Sequence, residues 1–249
     1  MKQLRALHEG RGRREHGLLL LEGSHLLEEV LRLGLRPDLV LATPAWIGAH
    51  APLLHALPAG VRLQPASEEV LEAAATTRHP DGVLLTLAAP APPPYSAGAP
   101  PPFVLALDRL QDPGNLGTLM RTALAAGVEE LWLADGADPF SPKVLRASAG
   151  AALALPLRRF EGGGLAARLA VVAGRGHQLV AALPPAAGGP RPRPYWQLDW
   201  TRPTVLLLGN EGGGLAPELA ALAAERVTIP HSEAVESLNV AVAAAPLLL

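Results

Sequence analysis

The sequence predicts an α/β protein in two parts, and three observations carry that expectation. Short, nearly continuous apolar runs alternate with segments of helical spacing along the 249 residues. That alternation implies a mostly parallel sheet with helices on both faces. The run from Ala88 to Pro102, AAPAPPPYSAGAPPP, cannot continue a helix or a central strand and reads as a semi-rigid linker. Apolar residues make up 49 % and charged residues 18 %, too apolar a balance for a disordered chain. The expected division is a small α/β domain over 1–88, a proline-rich linker over 89–102 and a larger α/β domain over 103–249.

In the first part, Gly17 to Leu21 reads as a buried strand and His25 to Leu33 as a helix with Ser24 as its N-cap. Asp38 to Ala42 follows as a strand and Glu68 to Ala75 as a helix. Beyond the linker, Phe103 to Leu107 is a strand, and a DPGN turn leads into a helix from Leu116 to Ala126. Leu116, Leu119, Met120, Ala123 and Leu124 give that helix its apolar stripe. Glu130 to Ala134 is a strand, and Ser141 with Pro142 suits the N-cap and first position of a short helix. Leu179 to Leu183 and Thr204 to Leu208 are strands, with Pro184 to Pro194 a surface loop between them. A helix starts at about Ala216, a short strand ends at Ile229–Pro230, and a small-residue helix follows Asn239.

Composition excludes several chemistries. Without cysteine there is no disulfide, thiolate zinc site, iron–sulfur cluster or cysteine nucleophile. No metal-ligand cluster is visible, so no metal is expected. No apolar run approaches the ~20 residues of a membrane span, and the N-terminus lacks a signal-peptide pattern. A cytoplasmic protein is the expectation. The net charge of −2 speaks against nucleic acid at first sight. Yet the first fourteen residues hold Lys2, Arg5, Arg11, Arg13 and Arg14 against Glu9 alone. Such a basic arm can make several phosphate contacts.

Three segments could carry chemistry. In Asp108 to Gly127, Asn115 sits just before the helix and Arg121 lies off the apolar stripe, near the carboxyl end of the preceding strand, where open α/β sheets bind ligands. The plainer reading makes Asn115 the N-cap and Arg121 a solvated cation. In Thr204 to Leu215, TVLLLGNEGGGL, an apolar strand enters a glycine-rich loop holding Glu211. Its GxxGGG spacing matches neither the dinucleotide fingerprint nor the phosphate loop, which argues against an NAD-dependent oxidoreductase. In Val227 to Ala244, Ser237 and Asn239 abut an alanine-rich helix, where capping is their ordinary role. His231 reads there as a loop residue.

Taken together and in this order, the three segments resemble the motifs of the SpoU (TrmH-like) family of RNA ribose 2′-O-methyltransferases, in the SPOUT superfamily. Asn115, Gly117, Arg121, Thr122 and Ala123 match the first motif. Gly209, Glu211, Gly214 and Leu215 match the second. Ile229, Pro230, Ser237, Leu238, Asn239 and Val240 match the third. Ser141-Pro142-Lys143, Arg146, Ser148 and Gly150 also resemble the family, and Leu21-Glu22-Gly23 resembles the ribosomal-protein-like substrate domain of its ribosomal-RNA members.

The resemblance implies a trefoil knot near the C-terminus and S-adenosylmethionine bound there. Leu208, Gly209, Asn210, Ile229 and Leu238 would hold that cofactor, largely through backbone groups. It implies a homodimer with the active site near the subunit interface. Arg121 would be the base or the polarising group for the ribose hydroxyl, helped by Ser237. A guanidinium loses its proton only above pH ~12, so a charged arginine acting electrostatically is the alternative. Asn115 and Asn239 would orient ribose and loops, and Glu211 would hold the loop and Arg121. Arg11, Arg13, Arg14 and Arg146 would face RNA. Ribosomal RNA, 23S above all, is favoured because compact transfer-RNA members lack the first domain. A transfer-RNA enzyme and a non-catalytic RNA-binding protein are the other readings. The departures are His231 and Glu233 where Met and Gly are common, and Pro246 in the terminal helix.

Overall fold

The computed structural model describes residues 1–91, 101–185, 191–232 and 234–249. Much of the proline linker, part of the 184–194 loop and Glu233 lie outside the described residues. In chain order the elements are α1 (Lys2–Ala6), α2 (Gly10–His16), β1 (Leu18–Glu22), α3 (Ser24–Arg32), β2 (Leu39–Ala42), α4 (Pro44–Ala49), α5 (Ala51–His55), β3 (Arg62–Pro65), α6 (Glu68–Ala74) and β4 (Val83–Ala88). Then come β5 (Phe103–Leu107), α7 (Pro113–Ala125), β6 (Glu130–Leu133), α8 (Pro142–Ala147), α9 (Ala151–Ala154), β7 (Leu157–Arg159), α10 (Gly164–Ala173) and β8 (Gln178–Ala182). The last are β9 (Arg193–Pro194), a 3₁₀ turn (Tyr195–Gln197), β10 (Thr204–Leu208), α11 (Pro217–Leu222), β11 (Glu225–Thr228) and α12 (Val240–Leu248). No described helix is long and apolar enough to cross a membrane.

The chain divides into two units. Met1–Ala91 and Asp138–Ala154 form the first, and the remainder, through Leu249, forms the second. The first is built on a four-stranded sheet in the order β1-β4-β2-β3. β4 runs antiparallel to β1 and β2, and β3 lies parallel to β2. Leu4, Leu7, Leu20, Leu41, Leu71, Ala74 and Leu84 form the core on one face. Side chains alternate along a strand, so Leu19, Leu21, Val40 and Leu85, also buried, point to the other.

The sequence places Asp138–Ala154 after the linker, yet this segment packs with the first unit. Two ion pairs fasten it. Arg13 Nη2 reaches Asp138 Oδ2 at 2.5 Å, and Arg146 Nη1 reaches Glu22 Oε1 at 2.9 Å. Glu22 is buried, and Thr76 and Thr77 both donate to it from backbone and hydroxyl. Removing one partner of a buried pair strands the other's charge. Here the threonines still satisfy Glu22, so Arg146→Ala is expected to cost about 1–3 kcal/mol. A thermal melt with no shift would contradict this.

The second unit holds a seven-stranded sheet in the order β7-β6-β5-β10-β8-β11-β9, with every neighbouring pair parallel. Val104, Ala106, Trp132, Leu179, Ala181, Val205 and Leu207 pack on one face with Leu165, Leu169 and Val172 of α10 and Leu219 of α11. The alternate residues Leu105, Leu107, Leu206 and Leu208 turn to the other face and are buried too. This explains why the strands read as unbroken apolar runs.

Two expected helix starts differ. Ser24 is not the N-cap of α3, since Gly23 at φ 99° takes that place and Ser24 donates its N–H and hydroxyl to Asp81. Asn115 does not cap α7 either. Asp112 does, accepting from Asn115 N at 2.8 Å, with Pro113 at the first position. That frees the Asn115 side chain for other bonds. Ser141 caps α8 as expected. Pro246 lies inside α12, which runs on to Leu248. The bond that proline forfeits is to the carbonyl of residue 242, and Val242 is exposed. Buried Leu247 and Leu248 anchor the turn beyond it.

Candidate active site

Beyond the carboxyl ends of β8, β10 and β11 lies a cavity of about 520 Å³. Its walls are Ala182–Pro184, Leu208–Leu215, Thr228, Ile229, His231, Asn115, Glu236–Val240, Ala243 and Leu247. A site at the strands' carboxyl ends is where open α/β sheets bind ligands.

The glycine-rich loop is shaped by Asn210. Its Oδ1 accepts from Gly212 N and Gly213 N, each at 2.9 Å, and its Nδ2 donates to the Arg109 carbonyl at 2.7 Å. Asn210 and Gly214 also exchange two backbone bonds of 2.9 Å. The loop thereby folds back onto Gly209, where a Cβ would overlap Gly214 C and Leu215 N. A side chain is excluded there by backbone on the other side.

Three motif residues far apart in sequence form one network. Asn115 Nδ2 donates to Glu211 Oε1 at 3.2 Å, and Asn239 Nδ2 donates to Asn115 Oδ1 at 3.0 Å. A carboxylate only accepts, so Asn115 must turn its amide nitrogen to Glu211 and its oxygen to Asn239. Asn239 Oδ1 caps α12, accepting from Ala241 N and Val242 N. Glu211 also accepts from Gln111 N and Asp112 N, both at 3.1 Å. One carboxylate therefore ties the glycine-rich loop to the start of α7, and through Asn115 to the start of α12.

Burial pushes the Glu211 carboxyl up. The bonds from Gln111 N, its own backbone, Asn115 and Asp112 outweigh that and hold it below the ordinary carboxylate range. A carboxyl lowered in the folded state stabilises above its ordinary pKa, and the contribution is lost as pH falls through the lowered value. The protection of amides 209–215 against exchange, corrected for the intrinsic pH dependence of the exchange rate, should therefore be flat above about pH 5 and fall below about pH 4. Glu211→Gln should abolish that step. An acid step of wild-type size in Glu211→Gln would show that another group drives it.

The expected site residues divide. Leu208, Gly209, Asn210, Glu211, Ile229, Ser237, Leu238, Asn239 and Asn115 all line the cavity. Arg121 does not; it is exposed on α7. Six residues of helix separate it from Asn115, turning it about 120° away and ~9 Å along the axis. Glu211 bonds the residues around Asn115. Among the arginines, Arg11 and Arg14 are exposed. Arg13 is 6 % exposed and its guanidinium serves the carbonyls of Leu7 and His8 besides Asp138. Arg146 serves Glu22 and Thr76. Both are occupied inside the first unit because acceptors distant in sequence come within reach on folding.

The residues missed were Asp108, Asp112 and Thr228. Asp112 could have been found, since Asp before Pro at a helix start is a capping signal. Asp108 is buried at the end of β5 and accepts from Ala216 N at 2.8 Å. Thr228 lines the cavity, and its buried Oγ1 lacks a hydrogen-bond partner among the described residues. No group of three His, Asp or Glu side chains among the described residues could hold a metal ion.

An all-parallel sheet with a glycine-rich loop and paired asparagines around a cavity at its strand ends defines a ligand-binding α/β domain. Residues 102–249 match the model of the SpoU rRNA Methylase family, and residues 1–85 match the MRM3-like substrate binding domain. The chain belongs to the SpoU rRNA methylase family. It is 43 % identical over 254 residues to an uncharacterized tRNA/rRNA methyltransferase of Synechocystis, covering 100 % of this chain and 88 % of the relative. It is 32 % identical over 251 residues to the 23S rRNA (guanosine(2553)-2′-O)-methyltransferase RlmP of Bacillus subtilis, covering 100 % and 94 %. The AdoMet-bound rRNA methyltransferase of Sinorhizobium meliloti superposes with a TM-score of 0.80 at 31 % identity, covering 99 % of this chain and 91 % of that one.

Proposed function

We propose that this protein is an S-adenosylmethionine-dependent methyltransferase acting on a ribose 2′-hydroxyl of ribosomal RNA, 23S rRNA above all, in the cytoplasm. The observation that carries the reading is the Glu211–Asn115–Asn239 network, which joins all three family motifs beside one cavity. The match of residues 1–85 to a substrate binding domain supports ribosomal RNA over the compact transfer-RNA enzymes.

The cavity fits the cofactor. Its volume of about 520 Å³ lies in the usual range for small-molecule sites. Gly209 lets the loop close tightly on itself along the cavity wall, and the buried Thr228 hydroxyl awaits a partner. Backbone groups of Leu208, Gly209, Asn210, Ile229 and Leu238 would hold the nucleoside. When bound, the cofactor supplies a methyl group on a sulfonium, an electrophile needing no metal.

The chain's own residues then have to bring a poor nucleophile into line. Asn115 and Asn239 orient the ribose, with Glu211 fixing both. Ser237, on the cavity wall, helps to place the arginine. Arg121 acts as a cation that polarises the hydroxyl and steadies the developing negative charge; the proton is released to water. Arg121 lies outside its own chain's cavity, which suits a homodimer whose active site forms near the subunit interface. The family's trefoil knot would be made by the second and third motif segments. Arg11 and Arg14 remain available for phosphate contacts.

The test is methyl transfer from labelled S-adenosylmethionine to unmodified 23S rRNA transcripts, with the product mapped for 2′-O-methylation. Absence of transfer to any cellular RNA fraction would end the reading. Transfer only to transfer RNA would redirect it.

A further inference from the structure

Arg109 stands in an unusual place. It lies two residues beyond the end of β5, after Asp108, and has φ 52°, in the left-handed region that an arginine seldom occupies. Two sets of bonds hold it there. Its carbonyl accepts from Asn210 Nδ2 at 2.7 Å and from Gln111 Nε2 at 3.2 Å. Its guanidinium lies against the preceding residue, with Nε 3.0 Å from Asp108 Oδ1 and Nη2 3.2 Å from Oδ2. The Asp108 side chain is 4 % exposed and that of Arg109 is 48 % exposed. A buried carboxylate thus aims a half-exposed cation from beneath. Two of the five guanidinium N–H donors are spent on Asp108, which leaves three for a ligand.

Asp108 also accepts from Ala216 N, so it is fixed in place beneath the guanidinium independently of Arg109. Backbone strain in a polar residue at a strand's carboxyl end is a mark of functional sites. The charges around it say what kind of ligand is short of a partner. Asp112, Glu211 and Glu218 are exposed acids on the adjoining segments, and Glu218 is close enough to act on Arg109 electrostatically. A polyanion approaching the ribose-orienting Asn115 would be repelled by them without a fixed cation.

We propose that Arg109 binds a backbone phosphate of the RNA substrate beside the nucleotide being methylated, with Asp108 as the residue that positions its guanidinium. The inference rests on the RNA methyltransferase reading above. A pre-aimed guanidinium suits the two-point recognition of phosphate oxygens. The carboxylate of the cofactor offers similar chemistry, and the experiment separates the two sources.

The test measures binding of unmodified 23S rRNA transcript across a potassium chloride series, alongside titration with S-adenosylmethionine. Each phosphate contact contributes about 0.9 to the slope of log affinity against log salt on duplex and about 0.7 on single strands. Arg109→Gln should lose about that much slope and roughly tenfold in RNA affinity, with S-adenosylmethionine affinity unchanged. Arg109→Lys should keep the slope. Because Arg109→Gln leaves Asp108 without its charge partner, the double variant Asp108→Asn with Arg109→Gln is measured too and should show the same loss. A wild-type slope in a folded Gln variant or the double variant overturns the assignment. Weakened S-adenosylmethionine binding with an unmoved slope gives Arg109 to the cofactor instead. If the wild-type protein neither binds nor methylates RNA, the functional reading itself has failed.

Discussion

Replacing Arg121 by alanine is expected to lower methyl transfer by about two to four orders of magnitude while S-adenosylmethionine affinity stays within about threefold. The two halves of this prediction have separate grounds. Arg121 is exposed and does not line the cavity, so nothing that holds the cofactor is lost with it. What is lost is the cation that the reading places at the ribose hydroxyl, where preorganised charge has its largest influence. Single-turnover transfer to 23S rRNA and calorimetric titration measure the halves independently. An alanine variant with wild-type turnover would remove Arg121 from the mechanism. One that also failed to bind cofactor would show that the side chain supports the cavity.

Gly209→Ala should act on the opposite half. The added methyl would overlap backbone atoms of Gly214 and Leu215, neither of which can rotate away as a side chain would. The glycine-rich loop must open, carrying Asn210 and Glu211 with it. The expected cost is about 1–3 kcal/mol of stability, as for other forced overpacking. That corresponds to roughly 2–12 °C in melting temperature for a chain of this size. Cofactor affinity should fall about a hundredfold or more, equivalent to about 3 kcal/mol. Gly212→Ala is the control, since its Cβ would meet nothing nearer than Asn210 Oδ1 at 3.7 Å. Equal affinities in the two variants would refute the packing argument.

Much of this was readable from the chain. The apolar runs Phe103–Leu107 and Thr204–Leu208 are β5 and β10, residue for residue. Fully buried strands announce themselves because neither face tolerates polarity. Four strands escaped: β4 obeys that rule, buried at five of its six positions, and was missed all the same, while the other three are exceptions to it. β3 is exposed along its length, β9 is two residues containing a proline, and β7 is three residues with two arginines. Helix starts were off where two polar residues competed for the cap, as with Asp112 and Asn115. In the site, the residue types were legible and their connections were not. Asn115 and Glu211 are 96 residues apart, and Arg13 and Asp138 are 125 apart. No local pattern encodes such meetings. Nor does any composition signal mark Arg109, because an Arg-Leu pair gives no hint of a left-handed turn.

The order of strands in the larger sheet bears on how the chain is made. β5 is flanked by β6 on one side and β10 on the other. β6 follows within 30 residues, but Leu107 waits for Leu208 to pair with it. At a synthesis rate of about 5–20 residues per second, one edge of Phe103–Leu107 stays without its partner for roughly 5–20 s after emerging. An apolar strand edge left open invites pairing with other chains. The interval before β10 emerges is therefore the period in which that edge of β5 is open to pairing with other chains.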